Sequence, residues 1–485
     1  MVRSRLCSRS MLAALAVLGV EALAPVAKAQ PAESDAPPLE EKRPVPDYDG
    51  RPDEPTTAGE ALLWVPRVAL FPLYVVSEYV IRWPMRQVTV WAERNKVPEK
   101  VKDVLTWGPG DDSGVVPSAL IDFGFRPSVG VYFFSDDWLY PNNAMRAHLA
   151  FGGPDYYRAT AAFRHYVHRL DDDYGERRAQ LRFEYERRAD YRFWGLGADA
   201  PDANESAYTG QHIDGALSFR AGGWESSRIE LFAGARDQRF FDRNSIDERT
   251  LAESVAAGRF ALPPLFDDGY TVGRVGFDGA LDSRPRRHLE APTGIDFVSP
   301  PGSGLKLGLR AELAGGMRDS RGLGLAPDRE EPLRYLRYGV TLGTFVDVLE
   351  QRTLGLQVMA DFADSLDDAP VPFTELPSLG GDRPLRGFKQ HRMLGDSTVA
   401  AVLDYRWPIW VWLDGTLHYG AGNAFGEHLD GFELELMKQS FGLGMRTTSE
   451  RDHAFEMLVA VGTETIRDGG APETFRFVFG TTAGF

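Results

Sequence analysis

Cysteine is nearly missing from this chain: one residue, Cys7, in 485. It lies ahead of the first apolar stretch, so it cannot be a lipid-anchored cysteine at the cleavage point that follows. Disulfide frameworks, zinc–thiolate sites and thiol nucleophiles are therefore excluded from everything downstream. Also lacking is any run of roughly twenty apolar residues free of charge and proline, the requirement for a spanning helix. Basic charge is in deficit: 54 Lys and Arg against 70 Asp and Glu leave −16. A nucleic-acid partner needs a basic footprint, so none is expected. There is no GxSxG elbow, HExxH pair or GxxxxGK[ST] phosphate loop. No enzymatic chemistry, metal or cofactor is expected. His165 and His168 sit three apart, a spacing that turns them to opposite faces of a strand. The acidic runs 171–173 and 367–368 read as solvated loops.

What is present begins with an export signal. Arg3, Arg5 and Arg9 form a basic n-region, Met11 to Val20 a short apolar core, and Ala27-Lys28-Ala29 a small-x-small cleavage site. Residues 1–29 read as a signal peptide, with the mature chain starting at Gln30. The leader carries four basic residues and one acidic one, so its removal takes the formal charge from −16 to −19. Residues 30–58 hold seven prolines among acidic residues; too polar to bury a core, they read as a disordered linker. Residues 59–114 are more apolar but broken by Pro66, Arg67, Pro72, Glu78 and Arg82, then by Pro98. They are expected to form short helices, either packed under a larger domain in the periplasm, or lying at a membrane interface or plugging a pore.

From 115 to 485 the pattern has period two. In Arg178 to Arg188, Ala179, Leu181, Phe183 and Tyr185 share one face, and Gln180, Arg182, Glu184 and Glu186 the other. Alternate strand residues point to opposite faces. Similar faces recur at Ile229/Leu231/Ala233/Ala235, Leu354/Leu356/Val358/Ala360, Phe455/Met457/Val459/Val461 and Phe475/Phe477/Phe479. A soluble sandwich alternates too, but export and extensive repetition favour lipid outside and polar filling inside. Glycine at 50 residues and 12% aromatics agree with β-structure. About sixteen candidate strands fit in this stretch at the ten-residue length of a tilted barrel strand. The expected fold is an all-β transmembrane antiparallel barrel, with long loops at 364–396, 421–439 and 464–473 on one side. Short connections at 406–410 and 448–452 fall on the other, where Tyr405, Trp407, Trp410 and Trp412 can join an aromatic girdle. The stretch 240–268 has no clean alternation and takes neither side.

One loop is unlike wall material. Leu379 to Phe388 reads LGGDRPLRGF: a double glycine, Gly380-Gly381, then Arg386-Gly387-Phe388. The strand after it, STVAAVLDYRWPIW, carries Asp404 on the face opposite Val399, Ala401, Leu403 and Tyr405, so Asp404 points into the lumen. The chain ends Phe479 to Phe485 with a terminal phenylalanine. Together these resemble the inward-folded loop, acidic strand and C-terminal assembly signal of BamA/TamA-type outer-membrane barrels, the bacterial surface antigen family. The resemblance covers the barrel, chiefly its last 110 or so residues. It implies that Arg386 reaches into the lumen to pair with Asp404, with Gly387 adopting a conformation that a Cβ resists. Phe479 and Phe485 would form the assembly signal, and Gly480 and Gly484 would weaken pairing between first and last strands.

Two departures stand out. HYGAG (His418 to Gly422) places Gly420 where the family has a second acidic partner, and no strand–helix alternation of the client-receiving POTRA modules precedes the barrel. The implied role is insertion or transport of protein or lipid substrates in the outer membrane of a Gram-negative cell. Implied partners are outer-membrane lipids, protein or lipid clients, and a separate periplasmic protein in place of the missing modules. The competing reading is a passive structural or channel-forming barrel.

Overall fold

The computed structural model describes residues 103–483 and isolated residues between 79 and 100. It leaves out 109, 123–124, 169–176, 243–247, 286–287, 291–295, 299–301, 318–332, 350–351, 382–383, 411–412 and 448–452. The expected signal peptide, the proline-rich linker, most of the 59–114 segment and Phe485 lie outside the described residues.

Sixteen strands form the wall. The first eight are β1 Ser113–Asp122, β2 Ser128–Asp136, β3 Asn143–Gly153, β4 Tyr156–His168, β5 Arg177–Phe193, β6 Ser206–Gly222, β7 Arg228–Phe241 and β8 Tyr270–Asp282. The rest are β9 Gly304–Gly316, β10 Arg334–Leu349, β11 Arg352–Ser365, β12 Ser397–Trp410, β13 Leu413–Phe425, β14 Lys438–Thr447, β15 His453–Thr465 and β16 Pro472–Ala483. Each pairs antiparallel with its sequence neighbours, and β1 pairs with β16, so the sheet closes on itself. Among the described residues every wall strand pairs on both sides, over only three residues where β1 meets β16, and closure is the condition for crossing lipid with β-structure. No described helix is long and apolar enough to cross a membrane. A two-residue strand, Thr106–Trp107, adds to the end of β1.

The alternation in sequence becomes the two faces of the wall. Leu181 and Phe183 are 58% and 49% exposed on the outside, while Gln180, Glu184 and Glu186 are buried inside. The same holds for Ile229 and Leu231, for Leu354, Leu356 and Val358, and for Phe475. An exposed apolar surface this extensive suits hydrocarbon and not water.

One end of the barrel carries the longer connections 366–396, 426–437 and 466–471, close to the expected ranges. The turn expected at 406–410 is instead strand: β12 runs on to Trp410, and Pro408 is tolerated beside a bulge in the β12–β13 ladder. Tyr405 and Trp407 stack at 5.6 Å there. The unassigned stretch 240–268 begins in β7 and then joins the long-loop end. Within it the short helix α1 (Leu251–Ala256) is started by a capping box between Thr250 and Glu253, with Leu251 fully buried. Its partners form an aromatic cap: Phe373, from the 366–396 loop, lies 4.8 Å from Phe240, 5.7 Å from Tyr208 and 5.8 Å from Phe193. Such a loop lacks alternation because its apolar residues face one another across the mouth, not a wall.

Candidate functional site

The 366–396 loop turns inward and is fastened at several points. Ser378–Leu379 and Met393–Leu394 pair antiparallel and form its neck. Gly380 and Gly381 follow in the left-handed region at φ +105° and +87°, which glycine reaches without steric cost. Gly381 N–H then donates to the Phe388 carbonyl at 2.9 Å, closing the tip. Leu379, Leu385 and Phe388 are buried with Met393 against Ala400 of β12 and Ala424 of β13.

The tip residues earn their identities by close fit. Gly387 does not use positive φ, contrary to the expectation for it. A Cβ there would stand 2.3 Å from the Val461 carbonyl oxygen of β15, so the loop backbone lies directly on the wall. Its N–H donates to Ser440 Oγ at 2.8 Å, and its carbonyl accepts from Thr474 Oγ1 at 2.7 Å. Phe388 fits over Gly462, where a Cβ would meet its ring at 2.6 Å. Gly420 makes room for the tip: a Cβ would lie 2.8 Å from Leu385 Cδ2.

Arg386 is lumenal and buried, and forms an ion pair with Glu456 on β15. Asp404, the partner expected for it, is lumenal too but bonds His418 of β13, Oδ1 to Nδ1 at 2.8 Å. The direct ion pair of Arg386 falls to Glu456 because the tip leans onto β14–β16, which presents that carboxylate to it.

Three further anchors were not read from the sequence. Glu375 is fully buried and accepts from Arg236 of β7 (2.8 and 2.9 Å), Arg337 of β10 (2.8 Å) and the Tyr270 hydroxyl of β8 (2.6 Å). Arg392 donates to Glu473 of β16 at 2.6 Å, and Lys438 of β14 shares that carboxylate at 2.5 Å. Lys389 reaches Glu205 at 2.6 Å. Each buried charge is thus paired, as withdrawal from water demands. The signal missed was parity: Glu456 alternates with Phe455 and Met457 and had to face inward.

The described part of the closing ladder is short. Among the described residues β1 and β16 share three pairs, Leu120–Gly480, Ile121–Phe479 and Asp122–Val478. The ladders beside this seam hold eight (β1–β2) and eleven (β15–β16). Gly480 stands at φ +143°, and a Cβ would lie 2.1 Å from the Ala119 carbonyl oxygen. The glycine expected to weaken the seam is therefore what lets its strands approach. Phe479 pairs across the seam opposite Ile121 and meets Phe455 edge-on at 5.4 Å. Gly484 lies outside the described residues.

Beside the seam the loop leaves a cavity of about 830 Å³ lined by Asp122, Arg158, Glu184, His212, Arg274 and Arg476 among others. Glu184, Glu186 and His212 come within metal-ligand distance of one another there. Arg158 bonds Glu184 at 3.0 Å, Arg182 also bonds it, and the Tyr191 hydroxyl bonds Glu186 at 3.2 Å. The cluster is occupied as an ion-pair network.

No protein-family model and no curated protein matches the chain. Among solved structures it is similar to BamA from Haemophilus ducreyi lacking POTRA domains 1–3, at 14% identity and a TM-score of 0.49 over 76% of this chain and 70% of that one. It is also similar to CdiB from Escherichia coli, at 12% and 0.45 over 76% and 62%. CdiB from Acinetobacter baumannii follows at 11% and 0.42 over 76% and 59%. The barrel architecture itself rests on the strand ladders above.

Proposed function

We propose that this chain is an outer-membrane barrel of the assembly and translocation class, inserting or transporting protein or lipid substrates without catalysis of its own. The observation that carries the reading is the fastened inward loop: Arg386, Glu375 and Arg392 hold it across the lumen. A wide passive pore needs an open lumen, and here the loop crosses it and leaves a cavity of about 830 Å³ beside the seam. The short seam adds to the argument. Among the described residues its ladder holds three pairs against eight and eleven beside it, along one line that faces lipid directly. On this reading the long loops face the cell surface, the short turns face the periplasm, and the apolar exterior meets outer-membrane lipid. Protein or lipid clients would arrive from a separate periplasmic protein.

The test is depletion of the protein followed by quantitative outer-membrane proteomics and lipid analysis. Selective loss of one or a few proteins or lipids is the expected result. An unchanged membrane would overturn the proposal in favour of a passive structural barrel.

A further inference from the structure

Arg476 sits where three elements meet. It lies on β16, is 3% exposed, and points into the lumen between the outward residues Phe475 and Phe477. Its Nε and Nη2 donate to Asp122 of β1 at 2.9 and 2.8 Å, a two-point pair across the seam. Its remaining nitrogen, Nη1, donates to the Gly381 carbonyl at 2.5 Å and the Arg386 carbonyl at 3.3 Å, both in the inward loop. One planar guanidinium thus bonds the first strand, from the last strand, and the base and tip of the loop at once. A guanidinium suits this work because its donors lie in a fixed fork. Among the described residues the seam ladder holds three pairs, and this side-chain pair adds to them.

We infer that Arg476 is a positioning residue that couples seating of the inward loop to closure of the seam, so that each favours the other. The coupling is reciprocal by necessity: whatever factor loop seating contributes to seam closure, seam closure contributes to loop seating. It holds whether or not the barrel handles clients, and so goes beyond the functional reading above. Loosening either end leaves the guanidinium without part of its set of acceptors in a buried site, which strains the other end.

The experiment uses the full chain with Cys7→Ser and a reporter cysteine pair, Ile121→Cys with Phe479→Cys, opposite each other in the seam. Seam closure is read as disulfide yield, and loop seating as resistance of 366–396 to protease. Asp122→Asn touches only the seam, and Gly387→Val dislodges only the loop tip. Asp122→Asn should raise loop cleavage, and Gly387→Val should lower disulfide yield, each on the order of tenfold. Arg476→Lys, which keeps the charge but not the fork, should move both readouts together while heat-modifiable mobility on gels shows a folded barrel. If either single-end variant leaves the opposite readout at the parent level, or if Arg476→Lys moves only one, the coupling is overturned.

Discussion

Arg386 shows how much one residue can announce and how much it withholds. Its Arg-Gly-Phe setting made a lumenal, charge-paired arginine legible from sequence, and parity placed Asp404 inside. Parity gives the face of a strand but not its angular position around the ring. Asp404 and Glu456 are equally inward by that rule, and only the lean of the loop decides between them. Arg386→Ala would leave Glu456 without its countercharge, and loss of a partner from a buried pair costs about 3–5 kcal/mol. We expect this variant, and Glu456→Gln, to raise protease cleavage within 366–396 far more than Asp404→Asn does, with the barrel still folded. Glu375 gives a pH test. Burial pushes its carboxyl up, but Arg236, Arg337 and the Tyr270 hydroxyl outweigh that and hold it below the usual glutamate range. A depressed carboxylate stabilises the folded state above its ordinary pKa of about 4.3 and ceases to as pH falls through the lower folded value. Loop protection should therefore be full above the ordinary glutamate range and be lost progressively as pH falls below it, through the lowered folded value. Glu375→Gln should flatten that profile, as proteolysis with an acid-active protease would reveal.

Elements were legible in proportion to how regularly they face two environments. Strands β5, β7, β11, β15 and β16 announced themselves because lipid and lumen alternate along them. The 242–269 connection and the neck of the loop did not, because their apolar residues meet each other at the mouth and follow no period. Phe373 is the clearest case: it joins no pattern in the sequence, yet its ring contacts Phe193, Tyr208, Phe240 and Phe266. Phe373→Ala should destabilise this cap by about 3–5 kcal/mol. The expected signature is faster protease cleavage in both 242–269 and 366–396, with the strands unaffected. If only one of the two segments became sensitive, the cap would not be a single packed unit.

At the scale of the molecule, a loop fastened across the lumen of a sixteen-stranded barrel argues for low conductance. In planar lipid bilayers the parent should show little steady current, and a variant carrying Glu375→Gln with Arg386→Ala should open frequent large steps. Equal traces would mean that the loop does not govern the lumen. The barrel was legible as a whole because strand length and parity agree along it; its closure was not, because register between the first and last strands leaves no local signature. The anchors of the loop also set an order of events in folding. Glu375 bonds Arg236 across 139 residues of chain, and the Asp122–Arg476 pair that the loop shares spans 354. Contacts of such sequence separation bring their full stabilisation only after the long intervening chain is already confined. The loop can reach all its partners only once the ring exists, so its seating belongs at the end of the folding pathway. Appearance of protease resistance in 366–396 should lag behind appearance of the heat-stable barrel, and that delay would time the final step of the protein's own assembly.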